Sequence, residues 1–430
     1  KVRIWFATLP RFWKRGPASN LGLRHPQSNA NVEMSDRGPG DCSGLYHSWV
    51  MPSLRRGIVR ASALKNPITR GLGTLYLGTF LSGLGWSMVF PAIAVLPGVY
   101  GVSLGAAAQL VTLYGIGRFA AMPAAGQLID RAGSRASLLA GTVLIALGAL
   151  LAAAAPLFLL LLVAAFMIGM GDGFWAMGRE VSGVDLVRLD QRGRVLSGFH
   201  GMHSGGYAAG PLIGGFLIEV WGLQSMFVAY AGVAFLSVLL GLASHDARIV
   251  QDNTDIDRVR VAAHRPKTLS WFSRMRDLYH QIEPGLRATY LVFVFATLAA
   301  FMFRQTFQSI LPLYAKREAG LSTIEIGALF SLSGVLILIM IIPVGFILDK
   351  VGRKWATVPS TGLPAIAFLA LPFTDSFQML VVLVALMGVA NGLSLGSLAA
   401  STYDVVPAHA RGRLQAARRM VAEIGGVGAP

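Results

Sequence analysis

The sequence predicts an all-α polytopic membrane protein built from two parallel six-helix repeats. Its composition is 54% hydrophobic and only 13% charged, which is unlike a soluble domain of this length. Apolar segments of about 20 residues, the length that crosses a bilayer, recur along the chain. The segment GQLIDRAGSR at 126–135 returns as GFILDKVGRK at 345–354, with every matched position 219 residues apart. A repeat of this kind indicates an internally duplicated membrane protein.

Eleven apolar spans are predicted, six before a polar stretch and five after it. The first six cover residues 71–96, 105–128, 136–155, 157–180, 195–218 and 224–243. The other five cover residues 288–314, 324–348, 355–373, 377–402 and 411 onward. The 219-residue offset continues through both sets, for example from Gly115 to Gly334 and from Gly169 to Gly388. Because each half holds an even number of helices, the repeat is parallel rather than inverted.

The chain is expected to divide into four segments. These are a basic extension at 1–65, a first six-helix half at 66–243, a linker at 244–286 and a second half at 287–430. The second half stops at Pro430, which is the counterpart of Pro211 in the fifth span. We therefore expect 11 of 12 helices, with the eleventh cut short. Residues 1–50 contain no long apolar run, and we expect translation to start near Met51 and the preceding residues to be an artefact. A basic transit peptide is the alternative.

Positively charged residues concentrate in alternate links between the spans. They are Arg131, Arg135, Arg188, Arg192, Arg194, Lys350, Arg353, Lys354, Arg411 and Arg413. Links rich in Lys and Arg face the cytoplasm. We therefore expect a multi-pass protein of the inner (plasma) membrane, with its N-terminus, repeated loops and central linker in the cytoplasm.

Several function classes are disfavoured by the sequence. A nucleic-acid binder would carry its net charge of +16 as a basic stripe on a soluble face, so no nucleic-acid partner is expected. There is no glycine-rich lysine loop for ATP and no His and acid cluster with metal-ligand spacing. The single Cys42 excludes an internal disulfide and a cysteine-based metal site. We expect neither an enzyme nor a bound cofactor or metal.

Two motifs resemble those of the major facilitator superfamily, and the resemblance covers about 66–430. The repeated loop is similar to motif A of that family, which lies between the second and third helices of each half. The fifth span is similar to motif C through Gly206, Gly210, Pro211, Gly214 and Gly215. In the family motif C is associated mainly with proton-coupled antiporters. The resemblance, to the 12-helix drug:proton antiporter type, implies alternating access and a monomer.

The two loops and the acids near them are candidate gating residues. They are Gly126, Asp130, Arg131, Gly133, Arg135 and Asp185 in the first half, and Gly345, Asp349, Lys350, Gly352, Arg353 and Asp404 in the second. We expect Gly126 and Gly345 to permit close helix packing, and Gly133 and Gly352 to permit a tight turn. An alternative for the charges is a solvated loop that only sets topology.

The resemblance assigns a role to the acids of these loops. It implies that Asp130 or Asp349 meets the N-terminal end of a helix of the opposite half, with Asp185 or Asp404 taking part. Ser134 stands where the family has an arginine in the first copy, and Arg135 is the candidate to compensate for it. In motif C the small residues favour tight packing, and the alternatives are a seal against proton leak or ordinary helix contact.

Ionisable residues at membrane depth are candidates for function, because burying a charge there is costly. Asp172 in the fourth span is the first candidate for a proton site, and its repeat partner Asn391 cannot titrate. Arg118 either neutralises Asp172 or only packs, and Arg304 either attracts an anionic group or reaches the outer interface. The remaining candidates are Glu423, as a second proton site, and His203, for which a structural hydrogen bond is the alternative.

Together these residues predict a secondary active transporter. Its expected activity is proton-coupled efflux of small amphipathic or hydrophobic compounds, with protons, the substrate and the lipid bilayer as its partners. An importer or facilitator of a small metabolite is the alternative within transport. A non-transporting membrane sensor or an inactive fragment is the alternative outside it. The sequence does not identify the substrate.

Overall fold

A computed structural model describes residues 67–187, 192–243, 279–280, 282–374, 376–406 and 411–428. Within these ranges only the backbone is described at 67–70, 192–194, 243, 349, 395–396, 399–400, 403–404, 411–413 and 416. The predicted extension at 1–65 and most of the predicted linker, at 244–278 and 281, lie outside the described residues.

The described residues form helices almost throughout and contain no strand. The first half holds α1 (Pro67–Ser87), α2 (Val89–Ile93), α3 (Leu96–Tyr100), α4 (Leu104–Ala132), α5 (Ser134–Ala153), α6 (Phe158–Asp185), α7 (Arg192–Trp221) and α8 (Leu223–Ala243). The second half holds α9 (Arg287–Arg317), α10 (Thr323–Phe346), α11 (Lys354–Ala370), α12 (Phe377–Val405) and α13 (Arg411–Gly428). Each predicted span falls on a helix or, for the first span, on the series α1 to α3. The predicted all-α fold is confirmed.

Eight helical segments of the described chain are long and apolar enough to cross a membrane. The predicted spans that do not meet this criterion are α4, α7 and α13. These helices lie against other helices on more than one side: α4 contacts α5, α6 and α13, and α7 contacts α1 and α10. Because much of their surface meets protein rather than lipid, they tolerate Gly, Arg and His, and hydropathy alone does not detect them.

The first predicted span is broken in the structure. Helix α1 ends at Ser87, and α2 and α3 follow as short helices. Pro91 has no N–H group and cannot donate to the carbonyl of Ser87, and Pro97 removes the donor for the carbonyl of Ile93 in the same way. The predicted span over 71–96 is therefore interrupted at Met88 and after Ile93, although Gly71–Ile93 remains long and apolar enough to cross a membrane.

The glycines of the repeated loops divide into two kinds. Gly133 and Gly352 have φ of 87° and 117°, a region that favours glycine. Gly133 ends α4 just before α5 begins, and Gly352 ends the π-helical turn Ile347–Val351, which follows α10, just before α11. The expected tight turns are present at both positions. Gly126 and Gly345 are different, because a methyl group added at either one would meet no atom within 4 Å. The expectation that these two glycines permit close helix packing is wrong.

Helix α7 makes close contacts on two sides. Methyl groups at Gly206, Gly210 and Gly214, which are spaced four residues apart, would collide with backbone carbonyl groups of α1 and its continuation at Met88. A methyl group at Gly215 would instead collide with the carbonyl group of Thr323 in α10. Side-chain-free positions let helix backbones approach closely in a membrane. Helix α7 therefore packs against α1 of its own half and α10 of the other half.

Aromatic side chains join the halves at one end of the bundle, which we call the far end; the motif end is the end that carries 126–135 and 345–354. The ring centroids of Phe90 in α2 and Phe330 in α10 are 5.1 Å apart. Those of Phe307 in α9 and Phe330 are 5.2 Å apart. All three rings are almost completely buried. Burial of this apolar surface stabilises contact between the halves.

A carboxylate adds a polar contact at the far end. Glu219, just beyond the predicted span 195–218, has an Oε2 atom 3.0 Å from the Thr323 N–H and 2.6 Å from the Thr323 hydroxyl. The N–H groups at a helix N-terminus lack intrahelical partners and favour a negative charge. Hydrogen bonds from Thr323 therefore lower the pKa of Glu219 from its usual value. This contact joins the C-terminal end of α7 to the N-terminal end of α10.

The packing of α7 can be tested with two substitutions in the same helix. Gly214→Ala places a methyl group against the carbonyl oxygen of Met88, whereas Gly201→Ala adds one where no atom lies within 4 Å. We expect Gly214→Ala to destabilise the purified protein by about 1 to 3 kcal/mol, the usual effect of overpacking, and to lower the Tm. Gly201→Ala should leave the Tm unchanged or raise it. Equal Tm values for the two variants would contradict the packing of α7.

The Glu219 contact predicts a dependence on pH. The carboxylate form accepts the hydrogen bonds, so the contact is present above the usual pKa of a glutamate and is lost as the pH falls through the lowered pKa. We expect Glu219→Ala to lengthen the distance between spin labels at Leu157→Cys and Phe373→Cys, measured by electron paramagnetic resonance in a Cys42→Ser background. Acidification should reproduce this change only when Glu219 is present. Glu318→Ala, which removes another exposed acid at the far end, is the control. It should leave the distance between the two labels unchanged.

Candidate functional site

A cavity of about 170 Å³ lies between residues of the two halves. The first half contributes Arg118 and His203, which were predicted as site residues, and the second half contributes the predicted Arg304, Asn391 and Glu423. The structure therefore brings these five candidates, which are far apart in sequence, together around one cavity. Asp172 is not on this wall, although it was the first candidate.

Asp172 lies directly behind the wall in a network of polar groups. Its Oδ1 atom accepts a hydrogen bond from the Ser82 hydroxyl at 3.1 Å, and its Oδ2 atom accepts one from the Tyr114 hydroxyl at 2.9 Å. Arg118 Nε is 3.5 Å from Asp172 Oδ2. The side chain of Asp172 is 14% exposed and that of Arg118 is 29% exposed. Of the two interpretations of Arg118, the structure favours the ion pair with Asp172.

Tyr114 and Ser82 are site residues that the sequence analysis missed. Tyr114 lies four residues before Arg118, so both side chains are on one face of α4. Trp86 stacks on Tyr114 with ring centroids 3.5 Å apart and an interplanar angle of 9°. The i,i+4 spacings of Tyr114 with Arg118 and of Ser82 with Trp86 were visible in the sequence. Their convergence on Asp172 was not, because it depends on how α1, α4 and α6 pack.

The second-half wall carries one cation with several neutral polar groups. Arg304 lies in α9, with its guanidinium carbon 5.8 Å from the centroid of the Phe301 ring. Gln305 and Gln308 of the same helix also line the cavity. Gln308 Nε2 is 3.4 Å from the Tyr207 hydroxyl of α7. This side of the cavity therefore offers a cation and amide groups that can both donate and accept hydrogen bonds.

Glu423 in α13 is the one acidic side chain among the residues that line this cavity. Its Oε1 atom is buried and has no hydrogen-bond partner in the described part of the chain. Two arginines of the same helix contact other residues: Arg418 Nη1 is 2.7 Å from Thr297 Oγ1, and Arg419 Nη1 is 3.8 Å from Glu180 Oε1. A buried carboxylate oxygen without a partner is costly, so Glu423 remains a candidate for binding a proton.

The Glu180–Arg419 pair connects α6 with α13 and thus the two halves near the motif end. Beside it lies a second cavity of about 160 Å³, also lined by Arg118 and Glu423. Three methionines line it as well, namely Met122, Met177 and Met420. Arg118 and Glu423 therefore separate the two cavities.

The gating candidates are only partly described. Asp130 and Arg131 are exposed, and Arg135 Nη2 donates to the carbonyl of Leu242 at the end of α8, at 2.9 Å. The Lys350 ammonium lies 5.6 Å from the centroid of the Phe346 ring. The side chains of Asp349 and Asp404 lie outside the described residues. A latch that involves Asp130, Asp185 or their counterparts stays a prediction, and so does compensation by Arg135.

His203 and Asn391 complete the predicted set. The ring of His203 packs against Gly83 of α1, and the backbone carbonyl of Asn391 accepts a hydrogen bond from the Ser394 hydroxyl at 2.7 Å. Both residues line the cavity. Across the described ranges, no group of three or more His, Cys, Asp or Glu residues is arranged to hold a metal ion.

Comparisons with known proteins agree with this architecture. A sequence model of the Major Facilitator Superfamily matches residues 75–430. Multidrug resistance protein MdtG of Proteus mirabilis is 23% identical over 378 residues, which cover 85% of this chain and 88% of that protein. Multidrug resistance protein 2 of Bacillus subtilis is 20% identical over 277 residues, which cover 64% of this chain and 66% of that protein.

Solved structures show the same fold. A D-xylose-proton symporter is similar with a TM-score of 0.64 and 16% identity, over 84% of this chain and 88% of that one. A POT family transporter is similar with a TM-score of 0.66 and 13% identity, over 83% of this chain and 88% of that one. Because the family model matches well over half of the residues, this chain belongs to the major facilitator superfamily.

Proposed function

We propose that this chain is a secondary active transporter that exports small amphipathic or hydrophobic compounds in exchange for protons, by alternating access. The observation that carries the proposal is the environment of Asp172. A part-buried carboxylate lies one layer behind the cavity wall and is held by Ser82, Tyr114 and Arg118. Intramembrane carboxylates in such positions are typical of proton pathways.

Protonation of Asp172 would alter the wall of the cavity. The unprotonated carboxylate attracts Arg118, and a proton on it removes that attraction. Arg118 would then be drawn toward Glu423, which lines the same two cavities. A change of partner by Arg118 thus couples the charge of Asp172 to the shape and charge of the binding site.

The contacts between the halves support alternating access. At the far end, α7 and α10 are joined by Glu219 and Thr323 and by the aromatic contact of Phe90 with Phe330. At the motif end, the Glu180–Arg419 pair is part-exposed at 3.8 Å. If the loops rich in Lys and Arg are cytoplasmic, this conformation is closed toward the outside. The latches of Asp130 and Asp349 would act in the opposite conformation.

The names of the relatives support export rather than import. Two of the similar proteins are named for multidrug resistance, and a membrane transporter would confer resistance by moving compounds out of the cell. We also propose a monomer in the inner membrane, with the N-terminus and the segment 244–286 in the cytoplasm. Amphipathic compounds would contact the aromatic residues of the cavity, among them Trp86 and Phe301.

The proton site can be tested with Asp172→Asn, which keeps the shape of the side chain but cannot titrate. In everted membrane vesicles acidified by respiration, a transported compound should raise the luminal pH in the wild type. A panel of hydrophobic cations, neutral compounds and anions would be assayed with a pH-sensitive dye. We expect this signal to fall by roughly tenfold or more in Asp172→Asn, a loss of at least about 1.4 kcal/mol in the coupled step.

Glu318→Gln is the matched control, since it removes an exposed acid that contacts only Arg317 in the described structure. It should retain the full signal at equal expression. If Asp172→Asn keeps normal proton-linked transport, Asp172 is not the proton site. If no compound changes the luminal pH in the wild type, proton exchange itself is rejected.

Tyr114→Phe tests the network around Asp172 more finely. This change removes the hydroxyl that donates to Asp172 at 2.9 Å but preserves the aromatic ring that stacks on Trp86. If Asp172 is the proton site, loss of a hydrogen bond to its carboxylate should change the pH optimum of transport. Tyr100→Phe, which removes a hydroxyl bonded to the Ala155 carbonyl, should leave the optimum unchanged. An unshifted optimum in Tyr114→Phe would rule out this role for the hydroxyl.

A further inference from the structure

We propose that Arg304 and the donors around it form a subsite for an anionic group, so that the cavity accepts organic anions with an aromatic or apolar body. The inference rests on the proposed function only in taking the cavity as the place where the transported molecule binds. The inference concerns the charge of the transported molecule, which the proposed proton site does not determine.

The charges around the cavity are distributed unevenly. Arg118 lies against Asp172 at 3.5 Å and shares both cavities with Glu423, so acids surround it. Arg304 stands in the other half, and within the described ranges no carboxylate oxygen lies within 4.0 Å of its guanidinium group. Glu423 lines the same cavity and its charge acts on Arg304, but it forms no ion pair with Arg304 in the described structure, and a part-buried cation without a directly paired counter-charge is unfavourable. An anionic ligand group would supply that counter-charge.

The groups beside Arg304 suit an anion. Gln305 and Gln308 extend the same face of the cavity from α9, while Ser204 and Tyr207 approach from α7. Gln308 Nε2 donates to the Tyr207 hydroxyl at 3.4 Å, which leaves the Tyr207 O–H and the second N–H of the Gln308 amide able to donate to a ligand. A guanidinium group binds a carboxylate through two parallel hydrogen bonds, and amide and hydroxyl donors can satisfy the remaining lone pairs.

The rest of the cavity suits an aromatic or apolar body. Trp86 and Tyr114 stack on each other at its first-half wall, and Phe301 lies next to Arg304. Aromatic faces of this kind bind flat apolar groups. Arg118 is already paired with Asp172 and lines the second cavity together with Glu423, whereas Arg304 does not line that cavity, so the anionic group is placed at the Arg304 side.

The test compares three probes of matched size that differ in charge: 1-naphthaleneacetate, the neutral 1-naphthaleneacetamide and the cationic 1-naphthylmethylammonium. Binding to the full chain in nanodiscs of neutral lipid is measured by calorimetry at pH 7.5, without a proton gradient. We expect the wild type to bind the acetate at least ten times more tightly than the amide. Arg304→Gln should bind the acetate and the amide with similar affinity, and Arg304→Lys should retain part of the preference for the acetate.

Arg317→Gln is the matched control, because it removes a cation from the end of the same helix, where Arg317 is exposed and pairs with Glu318 at 3.4 Å. It should bind all three probes as the wild type does. Gln308→Leu provides a second variant that keeps Arg304 and should weaken acetate binding severalfold. The proposal is overturned if the wild type does not bind the acetate, binds acetate and amide equally, or keeps its preference in Arg304→Gln.

The outcomes separate this inference from the proposed function. Anion-selective binding that depends on Arg304, without any proton-linked transport, rejects proton exchange and leaves the subsite standing. Proton-linked transport that Arg304→Gln does not alter, together with equal binding of the three probes, rejects the subsite and leaves the transporter standing.

Discussion

The close approach of α7 to helices on both of its sides is the contact on which much of this structure depends. Glycines spaced four residues apart admit the backbone of α1, and Gly215 with its neighbours admits α10 of the other half. A larger side chain at the glycines that face α1 would push α7 away from α1 within the first half, and one at Gly215 would push it away from α10 of the other half. Because little hydrophobic driving force acts between helices inside a bilayer, such packing has to come from shape and from hydrogen bonds. The cavity, Tyr207 and the Glu219–Thr323 contact all depend on where α7 lies.

The cavity shows how the protein manages charge at membrane depth. The opposite charges of Arg118 and Asp172 lie next to each other. The hydroxyl groups of Ser82 and Tyr114 each donate a hydrogen bond to the Asp172 carboxylate. The second half has no equivalent of Asp172, because Asn391 occupies the repeated position. The two halves therefore share a fold but differ in electrostatics. We propose that the first half handles the proton and that the second half, through Arg304, sets the charge of the bound molecule.

The sequence was sufficient for the fold and for many of the lining residues. Apolar length and the 219-residue offset predict the helices within a few residues, and Arg118, Arg304, Asn391 and Glu423 were all predicted before they met at one cavity. Packing details were less predictable. Gly126 was expected to contact a neighbouring helix and does not. Gly83, in contrast, packs against His203, and the sequence around Gly83 does not indicate this contact. A glycine in the sequence shows only that another helix could approach closely. Whether a helix does approach depends on the tertiary structure.

Hydropathy, repeat spacing and charge distribution predicted the helical membrane fold, its duplication and the short list of costly intramembrane charges, because each of these depends only on the order of residues along the chain. The tertiary structure decided which charges meet. Asp172 and Tyr114 are 58 residues apart in sequence, and Asp172 and Ser82 are 90 apart, yet their side chains form hydrogen bonds. Such contacts arise from the packing of α1, α4 and α6 against one another, and a single helix does not encode which face its neighbour will present.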